Sequence, residues 1–475
     1  MVSPEAAPFA SSGGLGDVLG SLPSALEQLG VKVSLIMPAH RSVLRSNFNI
    51  QDTGARFSIP VSSRQEDGRI LKTTAGKAIT VYFIQANKYF DRDYLYSTPE
   101  GDYPDNAERF AFFGRAAIEV LKLEPPDILH AHDWQSALAI AFLKAQPQLY
   151  PQLSHTKTVF TVHNLGFQGL FPPQDWQLLN LGGDFFTPQY LEFYGRVNFI
   201  KGGLVFTDAI TTVSPGYAGE IKTMEQGFGL DGIFQARSAS LTGIFNGVDY
   251  SLWNPATDLF ISREYSFENL TGKKACKSDI QNIFSLPANP EIPLVGMVSR
   301  LTSQKGFDLM ERALDALLSH KIQLIILGTG EKHYQDFLAQ AAVKYPQKLA
   351  VKIAYDEALA HKVIAGSDML LMPSRYEPCG LTQLYSFKYG TIPLVRACGG
   401  LKDTVAEFDP TTEKGSGFIF WHYEPADLLS ALDRALSVFQ QEKKWQTLMR
   451  NDMKLDFSWS KPARAYLELY QKLLK

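Results

Sequence analysis

Short apolar runs alternate with helical patterns along almost the whole chain, and this alternation restricts the fold more than any other feature. Residues 31–37, 79–84, 127–130, 158–162 and 209–213 read as strands of a first unit. Residues 294–298, 323–327, 351–354, 368–372 and 391–395 read as strands of a second. Several are continuously apolar rather than alternating, which is the pattern of parallel strands covered on both faces. Helical patterns lie between them, for example at 107–121 and 308–318. Strand–helix alternation predicts an α/β fold of doubly wound sheets, with ligands at the C-terminal strand ends. At 475 residues the chain exceeds one ordinary core. Turn chemistry at Asn246-Gly247-Val248-Asp249 and Trp253-Asn254-Pro255 places the break within 244–255.

Three segments of the second half sit where a strand hands over to a helix. They are Ser299-Arg300-Leu301-Thr302-Ser303-Gln304-Lys305-Gly306, Glu377-Pro378-Cys379-Gly380-Leu381-Thr382-Gln383 and Gly399-Gly400-Leu401-Lys402-Asp403-Thr404-Val405. Together they offer two cations, a carboxylate and two helix N-termini. Cations and helix ends take phosphate, and a carboxylate takes hydroxyls, so the set suits a ligand carrying a diphosphate and a sugar. Taken singly, Arg300 and Lys305 also read as solvated surface cations, and Glu377 as a helix-capping acid. Gly328-Thr329-Gly330 is an incomplete dinucleotide fingerprint.

The N-terminal third holds a matching piece. Ser11-Ser12-Gly13-Gly14-Leu15-Gly16-Asp17-Val18 opens a helix, and Val18, Leu22, Ala25, Leu26 and Leu29 follow at helical spacing. Gly30 ends it. A glycine pair at a helix start lets backbone N–H groups approach an anion, although such a cluster also serves as a plain turn. Residues 3–9 look like the loop after a first strand, and only Met1-Val2 remain to supply that strand.

Composition narrows the function classes. A net charge of -3 gives no support to a nucleic-acid partner. No apolar run approaches the roughly 18 residues a membrane span needs. The start lacks the basic region and apolar core of a secretion signal. Cys276, Cys379 and Cys398 are far apart and form no metal-type spacing. A reduced, cytoplasmic protein is expected, without disulfides or a cysteine metal site.

The ordered motifs resemble bacterial glycogen synthases and plant starch synthases, retaining glucosyltransferases of GT-B fold. The likeness runs through Ser12–Val18, Asp105-Asn106-Ala107-Glu108-Arg109-Phe110, His130-Ala131-His132-Asp133-Trp134-Gln135 and Thr161-Val162-His163-Asn164. It continues through Thr211-Thr212-Val213-Ser214-Pro215, Asn246–Asp249, the three later segments and Asp456-Phe457-Ser458-Trp459. The resemblance implies two Rossmann-like domains facing a cleft. Residues 1–245 would hold the acceptor, joined by a C-terminal helix at 456–475, and residues 246–455 would hold the nucleotide sugar. It implies transfer of glucose from ADP-glucose to an α-1,4-glucan, with no cofactor and no metal. No Asp-x-Asp motif stands in a plausible position, which suits that expectation.

By the same resemblance Glu377, Arg300, Lys305, His163 and Asp133 are the catalytic residues. Ser11, Gly13, Gly14, Asp17, Asn246, Gly328, Gly330, Cys379, Gly380, Leu381 and Thr382 line the substrates. His163 read alone is more often a structural residue, and Trp134 either stacks on a glucan ring or fills core. The family motif is Lys-x-Gly-Gly-Leu, and Ser11 stands at the lysine position; Cys398 replaces a usual threonine. Two alternatives remain at this stage. One is a UDP-sugar-dependent retaining relative, whose group commonly carries a second glutamate eight positions after the first, where this chain has Tyr385. The other is a glucan-binding paralogue of reduced activity, motivated by Ser11. Oligomeric state is left open.

Overall fold

The computed structural model describes every residue of the chain except residue 99. It divides into two compact units, Met1–Gly247 with Trp459–Lys475, and Val248–Ser458.

The first unit is built on one long sheet. Its spatial order runs Gln51–Val61, Arg64–Ala75, Ile79–Gln85, Ser34–Pro38, then Val2, then Ile128–His132, Lys157–Val162, Ala209–Thr212 and Leu241–Gly243. Val2 bridges Ile36 on one side and Ala131 on the other, both in parallel. Its N–H donates to His130 O at 2.8 Å, and Ile36 N–H donates to Met1 O at 2.8 Å. The first residues therefore serve as a very short central strand, fully buried at Val2. Taken in chain order, the parallel strands double back at this point. It is the topological switch where such sheets open a ligand crevice.

Two features of this sheet differ from the sequence reading. The first strand after the N-terminal helix begins at Ser34, not 31. The helix Gly14–Gln28 ends in a Schellman motif: Gly30 has φ 84°, its N–H donates to Glu27 O, and Val31 N–H donates to Leu26 O. That cap keeps Val31 out of the ladder. The second difference is an antiparallel hairpin, Gln51–Val61 with Arg64–Ala75, at the outer edge. Its alternating exposure gives it one solvated face, so it lacks the continuous apolar run that marks a buried parallel strand.

Val18, Leu19, Leu22 and Leu26 of the N-terminal helix pack with Leu35, Val81 and Phe83 of the sheet and with Trp459, Ala463 and Tyr466. The last three introduce the final helix Ser460–Leu474, which thus belongs to the first unit although 211 residues of the second unit precede it, from Val248 to Ser458.

The second unit holds a six-stranded sheet, Leu349–Ile353, Gln323–Gly328, Leu294–Val298, Met369–Met372, Ile392–Arg396 and Phe418–Phe420 in spatial order. Every pairing is parallel. Numbered along the chain this is 3-2-1-4-5-6, the dinucleotide-fold order, with its switch point between Leu294–Val298 and Met369–Met372. The short edge strand Phe418–Phe420 lacked a sequence signal.

Candidate functional site

The loops that leave the two switch-point strands of the second unit carry the charged residues singled out by sequence. After Leu294–Val298 come Arg300, a single 3-10 turn Ser303–Lys305, and Gly306 at φ 85°. A Cβ on Gly306 would sit 2.0 Å from Pro373 O, so glycine is needed there for conformation and for space. After Met369–Met372 come Ser374, Tyr376 and Glu377. The loops are joined where Arg375 N–H donates to Gln304 O at 2.8 Å.

Lys305 Nζ donates to Glu377 Oε2 at 2.6 Å, and Ser374 Oγ donates to the same oxygen at 3.0 Å. The Glu377 side chain is only 5% exposed and that of Lys305 18%. Arg300 is exposed and donates to Gln304 Oε1 at 3.3 Å. Its charge reaches Tyr376, whose phenol is pushed up to about 12 mainly by burial, against Arg300 and with Glu377. The structure thus brings Arg300, Lys305 and Glu377 to one end of the switch point. An ammonium fixed by a carboxylate keeps further N–H donors for an anion, and the carboxylate stays close to that anion's neighbouring groups.

The glycines of this unit have packing reasons of their own. A Cβ on Gly328 would lie 1.9 Å from Ser299 O, and one on Gly330 2.3 Å from Leu301 O. Gly400 approaches Cys379 O, and its N–H donates to Glu377 O at 3.0 Å. Gly380 takes φ 71° beside Gln383. Cys379 is buried, and Leu381 precedes the helix Thr382–Lys388. Cys398 is buried, with Sγ 3.5 Å from Ser374 O. Tyr385, at the place of a second glutamate, is no ligand-facing group. Its ring stacks on Trp253 at 3.9 Å and 4°, in the core.

In the first unit the switch point lies between Val2 and Ile128–His132. The loop after Val2 carries Glu5, a buried acid that sequence reasoning passed over. Ser12 donates to Glu5 Oε2 from N and from Oγ, both at 2.7 Å, yet burial pushes the carboxyl up to about 7. Asp133 opens the helix Asp133–Ala145 at φ 56°, a left-handed conformation unusual for a non-glycine residue. Its Oδ1 accepts from His163 N–H at 2.7 Å. Burial pushes its carboxyl up to about 7 against the N–H groups of His163 and Asn164, and Glu5 adds to the rise. The buried Tyr96 hydroxyl feels both acids and is pushed well up, burial leading. Glu5, Asp133 and the Tyr96 hydroxyl therefore influence one another at the switch point, with Glu5 buried and Asp133 and Tyr96 partly so. The one sequence signal for Glu5 was an acid in the loop after the first strand.

His163 follows the strand Lys157–Val162 and is half-buried; desolvation pushes its imidazole down to about 3. Trp134 fills core, edge-on to Phe110 at 4.9 Å and beside Phe171 and Phe199. Asn246 is buried with no partner for Oδ1 among the described residues. Gly13 precedes the helix, Gly14 begins it, and Asp17 lies exposed in its first turn. A Cβ on Gly13 would meet nothing within 4 Å, so its backbone is open to approach. Ser11 Oγ donates to Gly13 O at 3.3 Å. Ser11 also lines a cavity of about 560 Å³ with Arg41, Arg45 and Arg92.

Among the described residues no cluster of His, Cys, Asp and Glu is arranged to hold a metal ion. Cys276, Cys379 and Cys398 are buried and form no disulfide. No described helix is long and apolar enough to cross a membrane.

Residues 1–236 match the family model of the starch synthase catalytic domain, and residues 278–451 match that of group 1 glycosyl transferases. A glycogen synthase of Koribacter versatilis is 48% identical over 98% of this chain and 96% of its own length. One of Thermotoga maritima is 43% identical over 100% of this chain and 98% of its own. Among solved structures, the catalytic domain of starch synthase IV from Arabidopsis thaliana, bound to ADP and acarbose, superposes with a TM-score of 0.92. It is 33% identical, covering 100% of this chain and 98% of that one.

Proposed function

We propose a reaction for this chain from one premise: it belongs to the glycogen synthase and starch synthase family, glycosyltransferases of GT-B fold. The chain is a glucosyltransferase that moves glucose from ADP-glucose to the non-reducing end of an α-1,4-glucan with retention of configuration. The observation that carries this reading is the Lys305–Glu377 pair, with Arg300, at the switch point of the 3-2-1-4-5-6 sheet.

In this reading the Val248–Ser458 unit binds the donor. As the glucosyl bond breaks, negative charge grows on the β-phosphate. Arg300 and Lys305 stabilise that charge more in the transition state than in the ground state. Glu377 opposes the positive charge that develops on the oxocarbenium-like ring and accepts hydrogen bonds from sugar hydroxyls. Cys379, Gly380, Leu381 and Thr382 line the donor, as do Gly328 and Gly330. The Met1–Gly247 unit binds the glucan. Asp133 orients the acceptor hydroxyl, His163 contacts the sugar, Gly13 offers its open backbone with Ser11, Gly14 and Asp17 beside it on the chain, and Asn246 adds a further substrate contact. Three buried cysteines without a disulfide suit a reducing, cytoplasmic setting.

Tyr385 favours this reading over a UDP-sugar-dependent relative, because its stack on Trp253 puts core where a second glutamate would stand. The test supplies ADP-glucose or UDP-glucose with and without glycogen and reads nucleotide release. ADP release only with glucan present, unchanged by EDTA, is expected. Equal turnover of UDP-glucose overturns the donor assignment. No release from either donor favours a glucan-binding paralogue.

Ser11→Lys is expected to fold normally and raise kcat/KM for ADP-glucose by ~10-fold, as about 1.4 kcal/mol of charge-assisted binding returns. The cavity beside Ser11 gives the longer side chain room. The gain should shrink as salt rises, which titration of kcat/KM with NaCl checks. No gain at low salt would mean that another cation already fills the role, or that this chain holds its substrate differently from the family.

A further inference from the structure

We propose that His132 is a positioning residue that sets the tautomer of His163, so that His163 presents an Nδ1–H donor to the sugar. His132 ends the strand Ile128–His132 and is fully buried. His163 follows the neighbouring strand, and His132 Nδ1 lies 3.1 Å from His163 Nε2. Desolvation holds both imidazoles neutral. Each ring therefore carries one proton, and one N–H lies between the rings.

Two arrangements satisfy that contact. In one, His132 Nδ1–H donates, its Nε2 is a bare lone pair, and His163 is protonated at Nδ1. In the other, His163 Nε2–H donates and His132 carries its proton on Nε2. The environment of His132 Nε2 decides between them. That atom is buried and has no hydrogen-bond partner among the described residues. A buried N–H without an acceptor is rarer in folded proteins than a buried acceptor without a donor, so the first arrangement is favoured.

His132 is held in a packed setting. The His130 ring lies against it at 4.0 Å and 35°. His130 is itself pinned, with Nδ1 2.7 Å from Tyr470 Oη and Nε2 2.5 Å from Thr161 Oγ1. Both ring nitrogens of His130 are thus occupied, and it offers His132 no proton. With Nε2 engaged to His132, Nδ1 is the His163 ring nitrogen left to meet a ligand. Only the last step, that this N–H meets sugar, rests on the glucosyl-transfer reading.

The test is ¹⁵N NMR of the full chain labelled at histidine, with His163 assigned by its loss in His163→Gln. Wild type should show His163 protonated at Nδ1 and bare at Nε2. The reverse pattern overturns the proposal whatever the kinetics. His132→Asn keeps a side-chain N–H near the Nδ1 position, whereas His132→Leu removes it. His132→Leu should lower kcat by about 10-fold, the usual effect of one lost hydrogen bond that holds a contacting group, with KM for glycogen little changed, and His132→Asn should recover most of the loss. Equal losses in both folded variants, or no loss in His132→Leu, would refute the positioning role. If His132→Leu does not fold, the wild-type spectrum still decides the tautomer. Failure of the glucosyl-transfer reading is distinguishable, because wild type would then release no nucleotide while the spectrum stayed as expected.

Discussion

Lys305→Ala and Glu377→Ala are each expected to lower kcat for glucosyl transfer by ~10²–10³, the usual loss when one preorganised electrostatic group is removed from a transition state. Stability should respond differently in the two variants. Glu377 is 4% exposed, and Lys305 is its charged partner. Lys305→Ala leaves a buried carboxylate with Ser374 Oγ as its remaining side-chain donor among those described. Breaking a buried pair in that way typically costs about 3–5 kcal/mol. Glu377→Ala leaves an ammonium on a long, partly exposed stem that can reach water, so it should cost less. The double variant should recover much of the stability lost in Lys305→Ala and none of the activity. Urea unfolding and steady-state ADP release, measured on all three, separate the effects. Near-wild-type turnover in either single variant would remove that residue from the mechanism.

The functional half of that pair was legible in the sequence, but its partnership was not. Arg300, Lys305 and Glu377 stand out because each follows an apolar run and precedes a helix, and a parallel sheet must deliver such loops to one edge. Nothing local joins Lys305 to Glu377 across 72 positions. The strand order does, by making Leu294–Val298 and Met369–Met372 neighbours. The glycines show the reverse case. Gly328 and Gly330 read as lining the nucleotide, and the structure adds a packing reason that the sequence did not show, since a Cβ on either would strike the backbone at Ser299 or Leu301.

The histidine and acid clusters were hidden for a related reason. His130 and His132 alternate with Ala131 along a strand that reads as apolar; Tyr466 and Tyr470 of the helix Ser460–Leu474 cover His130, and His132 lies between the His130 and His163 rings. Glu5 lies in a segment without periodicity, and only the central placement of Val2 shows that the loop after it occupies the switch point. The hairpin Gln51–Ala75 was missed because half-exposed antiparallel strands lack the continuous apolar signal of buried ones.

Burial of these titratable groups makes stability steeply dependent on acid. In the first unit His40 is pushed down to about 4 and His163 to about 3, and His130 and His132 fall well below the usual range, desolvation being the leading cause in each. In the unfolded chain a histidine titrates near ~6.5. A depressed folded value means that the unfolded chain binds more protons below that point. The stability each histidine contributes is present above ~6.5 and is lost as the pH falls, by up to about 1.4 kcal/mol per pH unit. Glu5 and Asp133 oppose this. Both are raised to about 7, against roughly 4 when unfolded. Their contribution is present below ~4 and is lost as the pH rises through 7. Four histidines and the Met1 ammonium, lowered to about 5 by burial, stand against three carboxyls, Glu5, Asp133 and the buried Asp452, which leaves a net uptake of two protons on unfolding between those limits. Unfolding free energy should therefore fall by up to about 2.7 kcal/mol per pH unit from pH ~6 to ~4.5. Urea unfolding at half-unit intervals measures the slope. His40 makes its hydrogen bond to Pro4 O and has no assigned part in catalysis, so His40→Gln isolates one histidine. That variant should flatten the slope by about 1.4 kcal/mol per pH unit, and Glu5→Gln should steepen it by a similar amount. A wild-type stability that stayed level or rose toward pH 4.5 would mean that these groups are hydrated in the folded chain and the clusters are open to solvent.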